Sequence, residues 1–153
     1  MKKVSAMLDA TTQSRLQELL RRESRSFLLY SSDSFPWATA EEKEALTQLQ
    51  ALVEEERKAI TALARFLARQ RVPLPYLGSY PVAFTTQNFV SLDHLLPMLI
   101  DTERGAIGVL EEDLAHFTDT DCRREVHKLL DMKQQHVKTL EALAAARPET
   151  VLR

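Results

Sequence analysis

Five positions in this chain carry ionisable side chains where helical periodicity calls for apolar ones. Stepping by three or four residues, one stripe runs Leu46, Leu49, Val53, Glu56, Ile60, Leu63, Leu67, and its single polar member is Glu56. A second runs Leu16, Leu20, Glu23, Phe27, Tyr30, interrupted by Glu23. A third, from Leu92 through Leu96, Leu99, Ala106, Leu110 and Leu114 to Phe117, is interrupted by Glu103. The fourth reads Val126, Leu129, Lys133, His136, Leu140, Leu143, so a lysine is followed one turn later by a histidine. A carboxylate withdrawn from water is so costly that it neutralises, pairs with a cation or binds a metal. Three glutamates on one layer therefore need positive charge, from Lys133 and protonated His136, from shared protons, from arginines reaching in, or from metal ions.

One glutamate on an apolar stripe can simply sit at its edge, because glutamate is a good helix former. The exceptions carry weight only if they share a level, and in an antiparallel hairpin level residues are equidistant from the turn. Midway between Glu103 and Lys133 stands Thr118, inside a predicted turn; midway between Glu23 and Glu56 stand Thr39 and Ala40, just after a connection containing Pro36. Both hairpins place their polar pair near the middle of a bundle.

The elements that must position these residues are four helices, over about 9–30, 39–70, 91–117 and 120–146. Ser31 to Trp37 breaks the first from the second, and Thr39 with Glu42 makes a capping box for the second. Ser91 caps the third, within which Pro97 should kink the helix or mark its true start. Thr118-Asp119-Thr120-Asp121 supplies the last turn, and Pro148 stops the last helix. Between Arg71 and Asn88, three prolines and Gly78 alternate with Tyr76, Tyr80 and Phe84, which predicts an ordered connection packed along the bundle. About 20 extended residues at ~3.3 Å each can retrace a bundle of roughly 40 Å. The fold class expected is all-α, a single four-helix bundle domain over 1–153.

Composition agrees: 44% hydrophobic residues with only 3 Gly suit a compact helical core. A net charge of −2 argues against nucleic-acid and anionic membrane partners, and the Arg21, Arg22, Arg25 cluster reads as a solvated helix face. The single cysteine, Cys122, excludes an internal disulfide and suits a reducing compartment. Lys2 and Lys3 are followed by Ser5, Asp9, Thr11, Thr12 and Gln13, which is no signal-peptide core, and no apolar run approaches the ~20 residues of a membrane span. A soluble, cytoplasmic protein is the expectation. Glu54, Glu55, Glu111, Glu112 and Asp113 read as solvated faces, and His94, His116 and His127 as surface or boundary residues. Tyr30 reads as a core tyrosine donating one hydrogen bond, or as a redox tyrosine beside a metal. There is no Gly-rich phosphate loop and no Cys-x-x-Cys pair.

With these residues in place, nearly the whole chain resembles the ferritin-like superfamily of di-iron carboxylate bundles, in which two helices each give a Glu and two give a Glu-x-x-His pair. Glu23, Glu56, Glu103 and His136 match the family's first glutamate, second-helix glutamate, third-helix glutamate and last histidine. Two positions depart. Ala59 stands where the first histidine would be, and Lys133 where the fourth glutamate would be. The resemblance implies a long crossover between the second and third helices and a degenerate di-metal site. The leading expectation is a metal-free Lys133 layer, no cofactor, and a non-catalytic binding or structural role. The alternative is a single iron or manganese ion on Glu23, Glu56, Glu103 and His136, activating oxygen or holding iron. A third possibility is an adaptor or homodimer joined through Tyr76, Leu77, Tyr80 and Phe84 of the crossover.

Overall fold

The Asp9 carboxylate accepts a hydrogen bond from the Thr12 N–H at 2.7 Å, and the first helix, α1, runs from there over Ala10–Ser24. The computed structural model describes residues 7–32, 39–87 and 90–147; the expectations placed on Lys2, Lys3, Pro36, Trp37, Asn88 and Pro148 lie outside them. The first long helix is not continuous to Tyr30. It breaks at Arg25, and a second, short helix, α2, spans Phe27–Ser31. Ser26 is the reason: its hydroxyl accepts from the Leu29 N–H at 3.2 Å and donates to the Glu56 carboxylate at 2.7 Å, so it caps one helix while serving a buried acid on another.

Helix α3 covers Lys43–Arg69. The Glu42 carboxylate accepts from both the N–H and the hydroxyl of Thr39, each at 3.3 Å, so the predicted capping pair forms a turn just ahead of the helix. A 3₁₀ helix at Val82–Gln87 precedes α4, Leu92–His116, whose first turn Ser91 caps through the His94 N–H at 3.3 Å. The helix runs through Pro97 and starts at Leu92, as the serine signal indicates. Asp119 caps α5, Thr120–Ala146, through the Cys122 N–H at 2.9 Å. The architecture is all-α, with four long helices and no strand among the described residues.

The apolar core falls into two clusters. At one end Leu16, Leu19 and Leu20 of α1 meet Leu63 and Leu67 of α3, Leu110 of α4, and Val126 and Leu129 of α5. At the other, Phe27 and Leu28 of α2 meet Leu49 and Val53 of α3, Leu95, Leu96 and Leu99 of α4, and Leu140 of α5. Cys122 is fully buried in the first cluster; burial and the neighbouring Asp119 push its thiol up to about 12, so it packs as a small apolar side chain.

The connection after α3 is pinned along α1 by donors from successive turns. Gln17 Nε2 donates to the Pro73 carbonyl at 2.8 Å, Arg21 Nε to Tyr76 at 3.1 Å, and Arg25 Nη1 to Ser79 at 3.4 Å. Two arginines expected to be solvated thus hold backbone carbonyls. Gly78, at φ +74°, makes the left-handed turn this path requires. Beyond it Tyr80 and Phe84 pack their rings on Tyr30 at 5.2 and 5.4 Å, while Tyr76 is 87% exposed. The aromatic segment is therefore divided between packing and solvent.

Candidate functional site

Between the two apolar clusters lies a layer built by all four long helices. Lys133 of α5, 1% exposed, points its ammonium at Glu103 Oε2 of α4 (2.8 Å), Glu56 Oε2 of α3 (2.9 Å) and Glu23 Oε1 of α1 (3.6 Å). His136, one turn further along α5, is equally buried. Its Nδ1 lies 3.5 Å from Glu56 Oε2 and 3.6 Å from Glu103 Oε1, and its Nε2 meets Glu55 Oε2 at 2.9 Å. All five residues picked out by the stripes converge at one level.

The electrostatics follow from that convergence. Burial alone would raise the Glu56 carboxyl, but the Lys133 ammonium, hydrogen-bonded to it at 2.9 Å, together with the neighbouring Glu103 and His136, reverses this and holds it well below the usual carboxylate range. Burial together with the Glu56 contact pushes Glu103 up to about 7. For His136 burial opposes protonation; the carboxylates of Glu103, Glu56 and Glu55 around the ring prevail and carry it up to about 9. Lys133 likewise overcomes burial through Glu23, Glu56 and Glu103, and stays an ammonium. Near pH 7 two cations, Lys133 and His136, thus face the charged Glu56 carboxylate and a Glu103 carboxyl that is partly protonated.

This arrangement makes stability fall as pH rises. The folded state holds its His136 proton up to about 9, above the ordinary imidazole value of 6.5, so the contribution is complete below pH 6.5 and lost as pH climbs through 9. Glu103, raised to about 7, acts in the same direction between 4.5 and 7. The groups facing the imidazole are Glu55 and Glu56 of α3 and Glu103 of α4, and Lys133 of its own helix binds the same Glu56 oxygen. Denaturant titrations are expected to show stability dropping by roughly 3 kcal/mol from pH 6 to pH 9.5, and His136→Gln is expected to flatten most of that slope above pH 6.5. A flat wild-type profile would contradict this electrostatic account.

Four partners were not legible as such. Ser26 reaches the layer only because the first helix breaks beside it. Glu55, read as solvated, is 59% exposed, yet its carboxylate end returns to His136. Asp113, also read as solvated, is buried: Arg22 Nη2 binds its Oδ2 at 2.7 Å and Arg15 Nη1 its Oδ1 at 3.5 Å. Arg22, expected on a solvated face, also lies 3.7 Å from Glu23 Oε2 and links this outer pair to the layer. The expectations for Glu54, Glu111, Glu112, His94, His116 and His127 stand, since all are exposed.

The donor set bears on whether a metal fits. Glu56, Glu103 and His136 each present a ligand atom within 4.8 Å of the others, and Glu103 Oε1 and His136 Nδ1 have no hydrogen-bond partner. These atoms suit a single divalent ion of the kind bound by imidazole and carboxylate. Such an ion would have to share its carboxylates with the Lys133 ammonium, which cannot ligate while protonated. No family model matches this chain, and no curated protein or solved structure matches it either.

Proposed function

We propose that this chain is a ferritin-like bundle in which a lysine-centred ion cluster stands where a di-metal site would, and that its role is non-catalytic binding or structural support. The observation that carries the reading is the position of Lys133 Nζ, within 3.6 Å of three glutamates from three other helices. An ammonium there supplies compensation that metal would otherwise supply. Ferritin-like connectivity is supported by the core clusters: the second halves of α3 and α4 share one cluster and their first halves the other, as helices running in the same sense would. The hydrogen bonds from Gln17, Arg21 and Arg25 to a connection advancing alongside α1 support a crossover.

The unpartnered Glu103 Oε1 and His136 Nδ1 favour a second reading, in which Glu56, Glu103 and His136 hold one iron or manganese ion, with Glu23 nearby. Bound there, the ion would supply Lewis acidity or a redox couple. No helix among the described residues is long and apolar enough to cross a membrane. A cytoplasmic location accompanies our reading, supported by the lone free Cys122.

Metal analysis separates the two readings. Protein purified from iron-, manganese- or zinc-supplemented growth is expected to carry only trace metal, unchanged by His136→Ala. One equivalent of metal per chain, lost in that variant, would overturn the lysine-centred reading.

A further inference from the structure

The outer face of α3 carries its charges in an order that pairing within the chain does not explain. Stepping from Glu44 to Arg69 alternately by four and three residues meets only exposed positions, a stripe of period 3.5. Its acids, Glu44 and Glu55, lie in the first half and its bases, Lys58, Arg65 and Arg69, in the second. Other surface charges pair locally, as Arg57 does with Glu54 and Arg124 with Asp121. Glu44, Lys58, Arg65 and Arg69 enter no ion pair among the described residues. The helix macrodipole favours Glu44 and Arg69 at the two ends, but it fades within the terminal turns and does not reach Glu55, Lys58 or Arg65.

That order is its own complement. Laid antiparallel against a copy of itself, centred between Glu56 and Arg57, the stripe sets Glu44 opposite Arg69, Gln48 opposite Arg65, Ala51 opposite Ala62 and Glu55 opposite Lys58. Two-fold symmetry makes every pair twice. The alanine layers let the helices approach, and the period suits a crossing of about 20°. Glu55 meets His136 through Oε2, and a carboxylate accepts at both oxygens. The outward stripe of α5 from Arg124 to Ala142, reversed in the same way, sets Lys128 against Lys138.

We propose that α3 forms an antiparallel, isologous interface with a second copy of this chain. The start of the stripe offers a receptor for the bases of that copy. A hollow of about 450 Å³ between α3 and α5 is lined there by Glu41, Glu44, Gln48 and Leu143. Glu42 beside them is taken by Arg147 at 2.7 Å, whereas Glu41 and Glu44 enter no ion pair among the described residues. At ~30 Å³ for each water-sized group, the hollow admits about fifteen non-hydrogen atoms, enough for the heads of two arginines. The antiparallel register delivers Arg69 and Arg65 of the second copy to Glu44 and Gln48 at its edge. The seam is roughly 38 Å long at 1.5 Å per residue and one helix wide, and its charge pairs stay near solvent. The dimer is therefore weak and sensitive to salt.

Sedimentation equilibrium of the full chain tests this. At low salt wild type is expected to pass from monomer to dimer between about 10 μM and about 1 mM, its association constant falling at least about tenfold in about 0.5 M NaCl. Glu44→Arg and Arg69→Glu, both at exposed positions near the ends of α3, are each expected to keep the chain monomeric with the helical signal intact, because each sets like charges opposite one another twice. Mixed in equal amounts, the two variants again oppose acid to base at both ends of the seam, so the mixture is expected to dimerise, as is the chain carrying both substitutions. Wild type monomeric up to about 1 mM, a dimer indifferent to salt or to either substitution, or a mixture that stays monomeric would overturn the proposal.

Discussion

Lys133→Met is expected to lose about 3–5 kcal/mol of stability at pH 7, the range typical of breaking a buried ion pair by removing one partner. Methionine matches the length of the lysine stem and fills the same space, so the loss comes from charge rather than from a cavity. Glu23, Glu56 and Glu103 would then face one another with only His136 and the more distant Arg22 to compensate them. The carboxyls would respond by taking up protons. With their folded-state values raised above the unfolded ones, the variant should approach wild-type stability near pH 4.5 and weaken steadily as pH rises to 8. Urea titrations at several pH values measure this directly. A loss under 1 kcal/mol at pH 7 would mean that the lysine does not compensate the layer.

The second large effect comes from reversing both departures together. Ala59→His with Lys133→Glu would place an imidazole one turn beyond Glu56, on a half-buried face, and a fourth carboxylate where the ammonium stands. Without metal this layer would carry four buried acids and two histidines, and the apo chain is expected to lose its cooperative thermal transition at pH 7. Two divalent cations would balance it. Manganese(II) or anaerobic iron(II) is therefore expected to restore folding and to bind at about two equivalents, since a metal that binds only the folded chain stabilises it by its binding free energy. Calorimetry and elemental analysis read both outcomes. An apo variant as stable as wild type, or one that metal fails to restore, would remove the ferritin-like assignment of these positions.

The stripes made the layer legible because each glutamate interrupts a run of leucines, and the turn midpoints put the interruptions at one level. Lys133 does meet Glu103 across the turn at Phe117–Asp119, and Glu56 and Glu23 do reach the same ammonium. Helix starts at Asp9, Ser91 and Asp119 were equally readable, since each is set by a side chain within its own first turn. What escaped depends on partners from elsewhere in the chain. Asp113 is buried because Arg22, on a helix distant in sequence, covers it, and nothing near Asp113 names that arginine. The break at Arg25 escaped for the same reason: Ser26 is a plausible helical residue until Glu56 needs a donor. Glu55 shows a limit of any inside-or-outside label, because a long side chain can have a solvated stem and an engaged head.

The single ammonium touching acids on three other helices also bears on alignment. Leucines are interchangeable neighbours, and a bundle held by them alone tolerates sliding of one helix by a turn, ~5.4 Å. Here such a slip would leave a carboxylate or the ammonium facing Val53, Leu99 or Leu129 with nothing to answer it. Lys133 therefore works as a common index mark: the registers of α1, α3, α4 and α5 are fixed together or not at all.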